Sequence, residues 1–251
     1  HVSIFKDCFK LKLHQLLQRG ADFRHLTPSG ASPLDGAVLS AHSTTQPVNE
    51  GCLITAGLLI QAGCEISLET AIVLGDEDRI CEAAKQKPER FINDGTNRLG
   101  LLQLAVQIAN SNTVKLLLGL GCHPNDEHQL TEYENRPKSG GEPLTIAAGS
   151  GCHEIAEILL EAGADPNKGP YASGNPVSEA YNNRDDRMKG LLLRNGGVLE
   201  ATFAALEGET AAAAVHLHAN PDQAEKLLWA AGCGGDINLA GLCLRYLDWG
   251  S

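Results

Sequence analysis

Residues 142–167 read as two short helices joined at one glycine and closed at another, a unit too thin to bury its own apolar faces. Pro143 suits a first helical turn, because its missing N–H would be unpaired there and its φ is already helical. Leu144 anchors this helix, Ala147 and Ala148 are small enough to let a neighbour approach, and Gly151 stops it. Ile155, Ile158, Leu159 and Ala162 then recur three and four residues apart. That spacing predicts a second helix with an apolar stripe, with Glu157 and Glu161 on the opposite side. Gly163 ends it, and Asp165-Pro166-Asn167 turns the chain back. Such a unit needs neighbours, so the chain is expected to be an array.

The closing element returns as Gly20-Ala21-Asp22, Gly63-Cys64-Glu65, Gly121-Cys122-His123-Pro124-Asn125 and Gly196-Gly197, after leucine-rich runs or their near equivalents. With the Pro143-Leu144 helix start, it resembles the ankyrin repeat, whose period is about 33 residues. The resemblance covers nearly the whole chain. It implies an all-α fold, an ankyrin-repeat solenoid of about seven to eight helix–turn–helix units with finger turns. The expected organisation is a single array over 1–251, with units near 1–27, 28–66, 67–94, 95–126, 127–168, 169–197, 198–221 and 222–251.

The closing glycines at 20, 63, 121, 163 and 196 are unevenly spaced, which places insertions at 41–50 and 126–140. It also places a shortened unit at 68–93, with Ala71, Gly75-Asp76 and Ile80-Cys81 as helix residues and Phe91-Ile92-Asn93-Asp94 as its turn. A fuller unit then opens at Gly100-Leu101-Leu102. Two more helix pairs are expected after Gly197, interrupted at Gly208 and Gly235, and a first pair within 4–17. The last segment is similar in style to ankyrin arrays of filamentous fungi. Neither end reads as a polar cap, so a piece of a longer protein is expected.

A net charge of −11 argues against nucleic acid and against an anionic membrane surface, both of which favour basic faces. No apolar run has the length of a membrane span. Aromatic residues make up 4% of the chain, too few for a deep ring-walled cofactor pocket. Eight cysteines, at 8, 52, 64, 81, 122, 152, 233 and 243, fall where small apolar residues fit, and they read as core thiols. There is no Cys-x-x-Cys pair for zinc, so no metal and no cofactor is expected.

Cys122-His123 and Cys152-His153 put a thiol beside an imidazole, but sequence neighbours on a helix diverge by about 100° and do not face each other. His216-Leu217-His218 has a spacing of two, whereas a helical metal pair needs three or four. His14, His25, His42 and His128 read as solvated side chains. The polar run 182–187 reads as a solvated turn between helices. Phosphate loops, zinc-protease helices and nucleophile elbows are absent, and no catalytic residue is assigned.

The resemblance therefore implies a monomeric protein–protein interaction module inside the cell, in the cytoplasm or nucleus, with no enzymatic activity. Its groove would comprise Asp35, Leu39, Gln103, Gln107, Thr145, Ile146, Ser150, Ser178, Tyr181 and Asn182, and its long finger Tyr133, Asn135 and Arg136. Two other readings stand beside it: an enzyme or small-molecule binder using insertions 41–50 and 126–140 as lids, and a spacer or regulatory segment. The family's helix-start histidine is replaced by Asp35, Gln103 and Thr145, and its threonine by Ser32, Gly100 and Glu142. These replacements put the usual hydrogen-bond ladder in doubt and suggest a less uniform and locally more mobile stack.

Overall fold

A computed structural model describes residues 15, 19, 32–41, 50–92, 100–126, 129–130, 138–139, 142–169 and 175–247. The contacts divide the chain into two compact units, 1–164 and 165–251. In the first unit the helices come in pairs: α1 (Pro33–Ala41) with α2 (Glu50–Gln61), α3 (Leu68–Leu74) with α4 (Glu77–Gln86), α5 (Leu101–Gln107) with α6 (Ser111–Gly119), and α7 (Pro143–Gly149) with α8 (His153–Glu161). First helices pack on first helices, α1 on α3, α3 on α5 and α5 on α7, while α6 packs on α8. The second unit holds α9 (Pro176–Asn182) with α10 (Asp186–Arg194), α11 (Ala201–Leu206) with α12 (Thr210–Ala219), and α13 (Ala224–Gly234) with α14 (Ile237–Leu244). There α13 stacks on α11 and α14 on α12. The described residues are thus all-α apart from one antiparallel ladder, β1 (Gln129–Leu130) with β2 (Lys138–Ser139), at the base of the long finger.

A left-handed residue between the two helices of a pair sets a common register: Gly75, Ala109, Gly151, Arg184, Gly208 and Gly235 all have φ between 54° and 74°. Four residues earlier the sequence reads Ala71, Ala105, Ala147, Ala180, Ala204 and Ala231, none more than 1% exposed. Within each unit, small side chains at this position let neighbouring first helices approach closely. One residue after the left-handed position, Asp76, Asn110, Asp185 and Asp236 each accept the backbone N–H three residues on and cap the second helix. Gly63, Gly121, Gly163 and Gly196, which close the second helices, have φ of 85–104°.

Substitute groups make part of such a ladder, between the first two described pairs. Asp35 accepts Ser32 N–H and Ser32 Oγ–H at 2.8 Å and, from the next pair, Thr70 Oγ1–H at 2.7 Å and the Ser67 hydroxyl. Gln103 Nε2 donates to the Asp126 carbonyl at 2.6 Å. The turn asparagines make a second set: Asn125 donates to Gly163 O at 3.0 Å, and Asn167 donates to Gly196 O at 2.9 Å while accepting Val198 N–H at 2.7 Å.

Several expectations need correction. Gly75 and Asp76 are not helix residues but the cap of α3 and the N-cap of α4. The stripe of α8 is Ile155, Ala156 and Leu159; Ile158 is half-buried, and Ala162 is exposed because the helix ends at Glu161. Phe91 is buried at the end of a 3-10 turn, Pro88–Phe91. Of the expected core thiols, Cys64, Cys122 and Cys243 are buried, Cys52, Cys81 and Cys152 half-buried, and Cys233 exposed. The helices expected within 4–17, insertion 41–50 and Asn93-Asp94 lie outside the described residues, except for ends at 15, 41 and 50.

Candidate functional site

The register separates two kinds of first-helix position. Residues three after the helix starts Ser32, Ser67, Gly100, Glu142 and Asn175 are Asp35, Thr70, Gln103, Thr145 and Ser178, all at most 8% exposed. Asp35 and Thr70 bond to each other across two layers, whereas Thr145 and Ser178 bond to their own helix starts. Thr145 Oγ1 donates to Glu142 at 3.3 Å, and Ser178 donates to Asn175 Oδ1 through N–H and Oγ–H at 2.9 and 3.1 Å. Burial works to raise the Asp35 carboxyl, but the bonds from Ser67, Ser32 and Thr70 outweigh it and hold the group below its ordinary range. Gln103 folds back over Gly100, where an added Cβ would lie 1.8 Å from Oε1, which explains the glycine at that start. Asp35, Gln103, Thr145 and Ser178, expected in the groove, are instead largely buried and offer a partner little surface.

The open face lies nearer the helix ends. Among the expected groove residues Gln107, Ser150 and Asn182 are exposed, and Ile146 and Tyr181 are half-buried. Leu39 sits within α1, but its side chain is outside the described residues, as are Tyr133, Asn135 and Arg136. Residue-by-residue transfer of the family pattern missed Leu74, 45% exposed, Glu179 and Phe203, half-buried, and Leu206, 38% exposed. Counting back from the left-handed residue finds Glu179 and Phe203 five residues before, Leu206 two before and Leu74 one before. Arg184 and Ala109 hide that count in sequence, because neither announces a left-handed turn.

The groups with nucleophilic or metal-binding potential point away from chemistry. The Cys122 thiol is pushed up to about 12 by burial and by Asp126, opposite to what a nucleophile needs, and burial also raises Cys152. His123 Nδ1 accepts Asn125 N–H at 3.1 Å. His216 Nε2 meets Leu199 O at 2.9 Å, and His218 Nδ1 bonds the Tyr246 hydroxyl, so their partners lie in different places. Among the described residues no group of three His, Cys, Asp or Glu could hold a metal, and no helix is long and apolar enough to cross a membrane. An open cleft of about 480 Å³ is bordered by Asp35, Ser67, Ala71, Arg79, Gln86 and Arg90. Arg79 is paired with Asp76 at 2.9 Å and Arg90 with Glu69 at 2.6 Å; neither histidine nor cysteine lines the cleft.

Stacked two-helix layers with left-handed hinges and an alanine seam define a helical-repeat protein. Residues 68–169 match the family model of ankyrin repeats in three copies. A mouse protein, Rabankyrin-5, is 30% identical over 131 residues, a stretch that covers 51% of this chain and only 11% of the relative. The family match ends well before the last segment, so nothing in it supports the fungal likeness. Ankyrin repeats are generally protein-interaction modules and are typically not enzymes.

Proposed function

We propose that the chain binds a protein or peptide partner through the groove formed by the exposed ends of its first helices, with the long finger contributing at the rim. The observation that carries this reading is that Leu74, Gln107, Ile146 and Ser150 in the first unit, and separately Tyr181 and Asn182 in the second, stay at least partly open near the ends of their first helices, while the positions three after each helix start are buried. Leu39, Tyr133, Asn135 and Arg136 complete the proposed surface, and a single array over 1–251 belongs to the same proposal. The same proposal takes the chain as a monomer in a reducing intracellular compartment, where thiols such as those of Cys64, Cys122 and Cys243 stay reduced.

Photo-crosslinking in cells tests it, with a benzophenone amino acid at Gln107, Ser150 or Asn182 and, as the comparison, at the exposed Glu157 or Glu161 of α8. The groove positions are expected to give a discrete protein adduct and the α8 positions none. Equal labelling from both faces, or from neither, overturns the assignment. A triple variant with Tyr133, Arg136 and Tyr181 changed to Ala is expected to lose the partner in an affinity pull-down, and full recovery removes the finger from the surface.

A further inference from the structure

The groove of the second unit differs from that of the first in charge and in apolar content. Helices α9 and α11 belong to neighbouring layers: Asn175 Nδ2 donates to Val198 O at 3.1 Å, and Glu209 acts electrostatically on Tyr181. Glu179 and Phe203 hold equivalent positions in these two layers, each five residues before the left-handed turn, with Leu206 one turn on from Phe203. Glu207 and Glu209 stand exposed just beyond it. Burial pushes the Glu179 carboxyl up, and among the described residues neither a cation nor a hydrogen-bond donor meets it. Lys189 is already engaged, 3.1 Å from Asp186 and 4.4 Å from the centre of the Tyr181 ring. From 195 to 244 the chain has six acids and one base, Lys226. An apolar floor edged by uncompensated carboxylates complements a segment of the opposite charge.

We infer that this surface binds a basic peptide segment with apolar residues between its cations, Lys or Arg heads on Glu179, Glu207 and Glu209 and apolar side chains on Phe203 and Leu206. The aliphatic stems of the cations lie along the same floor. The inference rests on the groove reading above and names its partner class.

The probes are three fluorescein-labelled twelve-residue peptides, repeats of Lys-Leu-Ser, Lys-Ser-Ser and Glu-Leu-Ser, titrated by anisotropy at about 150 mM salt, where diffuse attraction is screened beyond about 8 Å. The Lys-Leu-Ser peptide is expected to bind about tenfold tighter than either control. Glu179→Gln and Leu206→Ser are each expected to weaken it about fivefold, while Glu225→Gln, an exposed acid in the first turn of α13, leaves it unchanged. Circular dichroism confirms that each variant is folded. Equal binding of Lys-Ser-Ser, or equal weakening by Glu225→Gln, means general charge attraction and overturns the inference. If no peptide binds while Asn182 still crosslinks to a cellular protein, the partner class falls and the groove stands; if both fail, both readings fall.

Discussion

At the scale of single residues, the polar groups that look most like binding residues are buried within the fold, and Asp35 fastens two layers together. Asp35 takes four donors, and replacing it by Asn keeps the shape but removes an acceptor from Ser32. One buried N–H left unpaired costs about 1–3 kcal/mol, so Asp35→Asn is expected to lower the urea midpoint at neutral pH. The pH dependence has a definite sign. Because the folded carboxyl is held below its ordinary 3.8, its advantage over Asn is complete above that value and is lost as pH falls through the lower folded pKa. A difference between the two proteins that grows below pH 4 would contradict this role. Backbone strain gives the opposite kind of test. Arg184 has φ of 54° and is exposed, and a left-handed L residue costs about 1–2 kcal/mol. Arg184→Gly is therefore expected to raise the melting temperature, and an unchanged or lower value would show that the side chain earns its place by another contact.

At the scale of helices and layers, the alanine seam is the part most sensitive to volume. Ala147 is fully buried where α7 meets its neighbour, and Ala162, past the end of α8, is exposed. Ala147→Leu forces the layers apart and is expected to cost about 1–3 kcal/mol, while Ala162→Leu changes stability by less than about 0.5 kcal/mol. Equal effects in chemical denaturation would mean that the seam tolerates expansion. The same contrast shows what was legible in sequence. Pro143, Gly151 and Gly163 dictate local backbone, so helix starts and stops could be read one unit at a time. The burial of Asp35 depends on Ser67 and Thr70 in the following layer, which a single unit does not reveal, and that of Gln103 on the distant Asp126 carbonyl at the end of its own unit. Exposed ends such as Leu206 were hidden for a related reason, since an apolar residue in an apolar helix gives no local sign of lacking a neighbour.

At the scale of the molecule, the two compact units make a testable statement about cooperativity. Stacks held by nearest-neighbour contacts need not unfold in one step, and a single transition is not assured for a chain that divides at residue 165. Both tryptophans, Trp229 and Trp249, belong to 165–251, so intrinsic fluorescence reports on that unit while far-UV circular dichroism reports on helices throughout. In urea the two signals are expected to give different midpoints. Ala147→Leu, placed in the first unit, should move the dichroism transition to lower urea and leave the fluorescence midpoint in place. If both signals shift together by the same amount, stability is shared along the whole chain. The groove of the second unit could then not be studied apart from the first, because every variant in one would be read through the stability of the other.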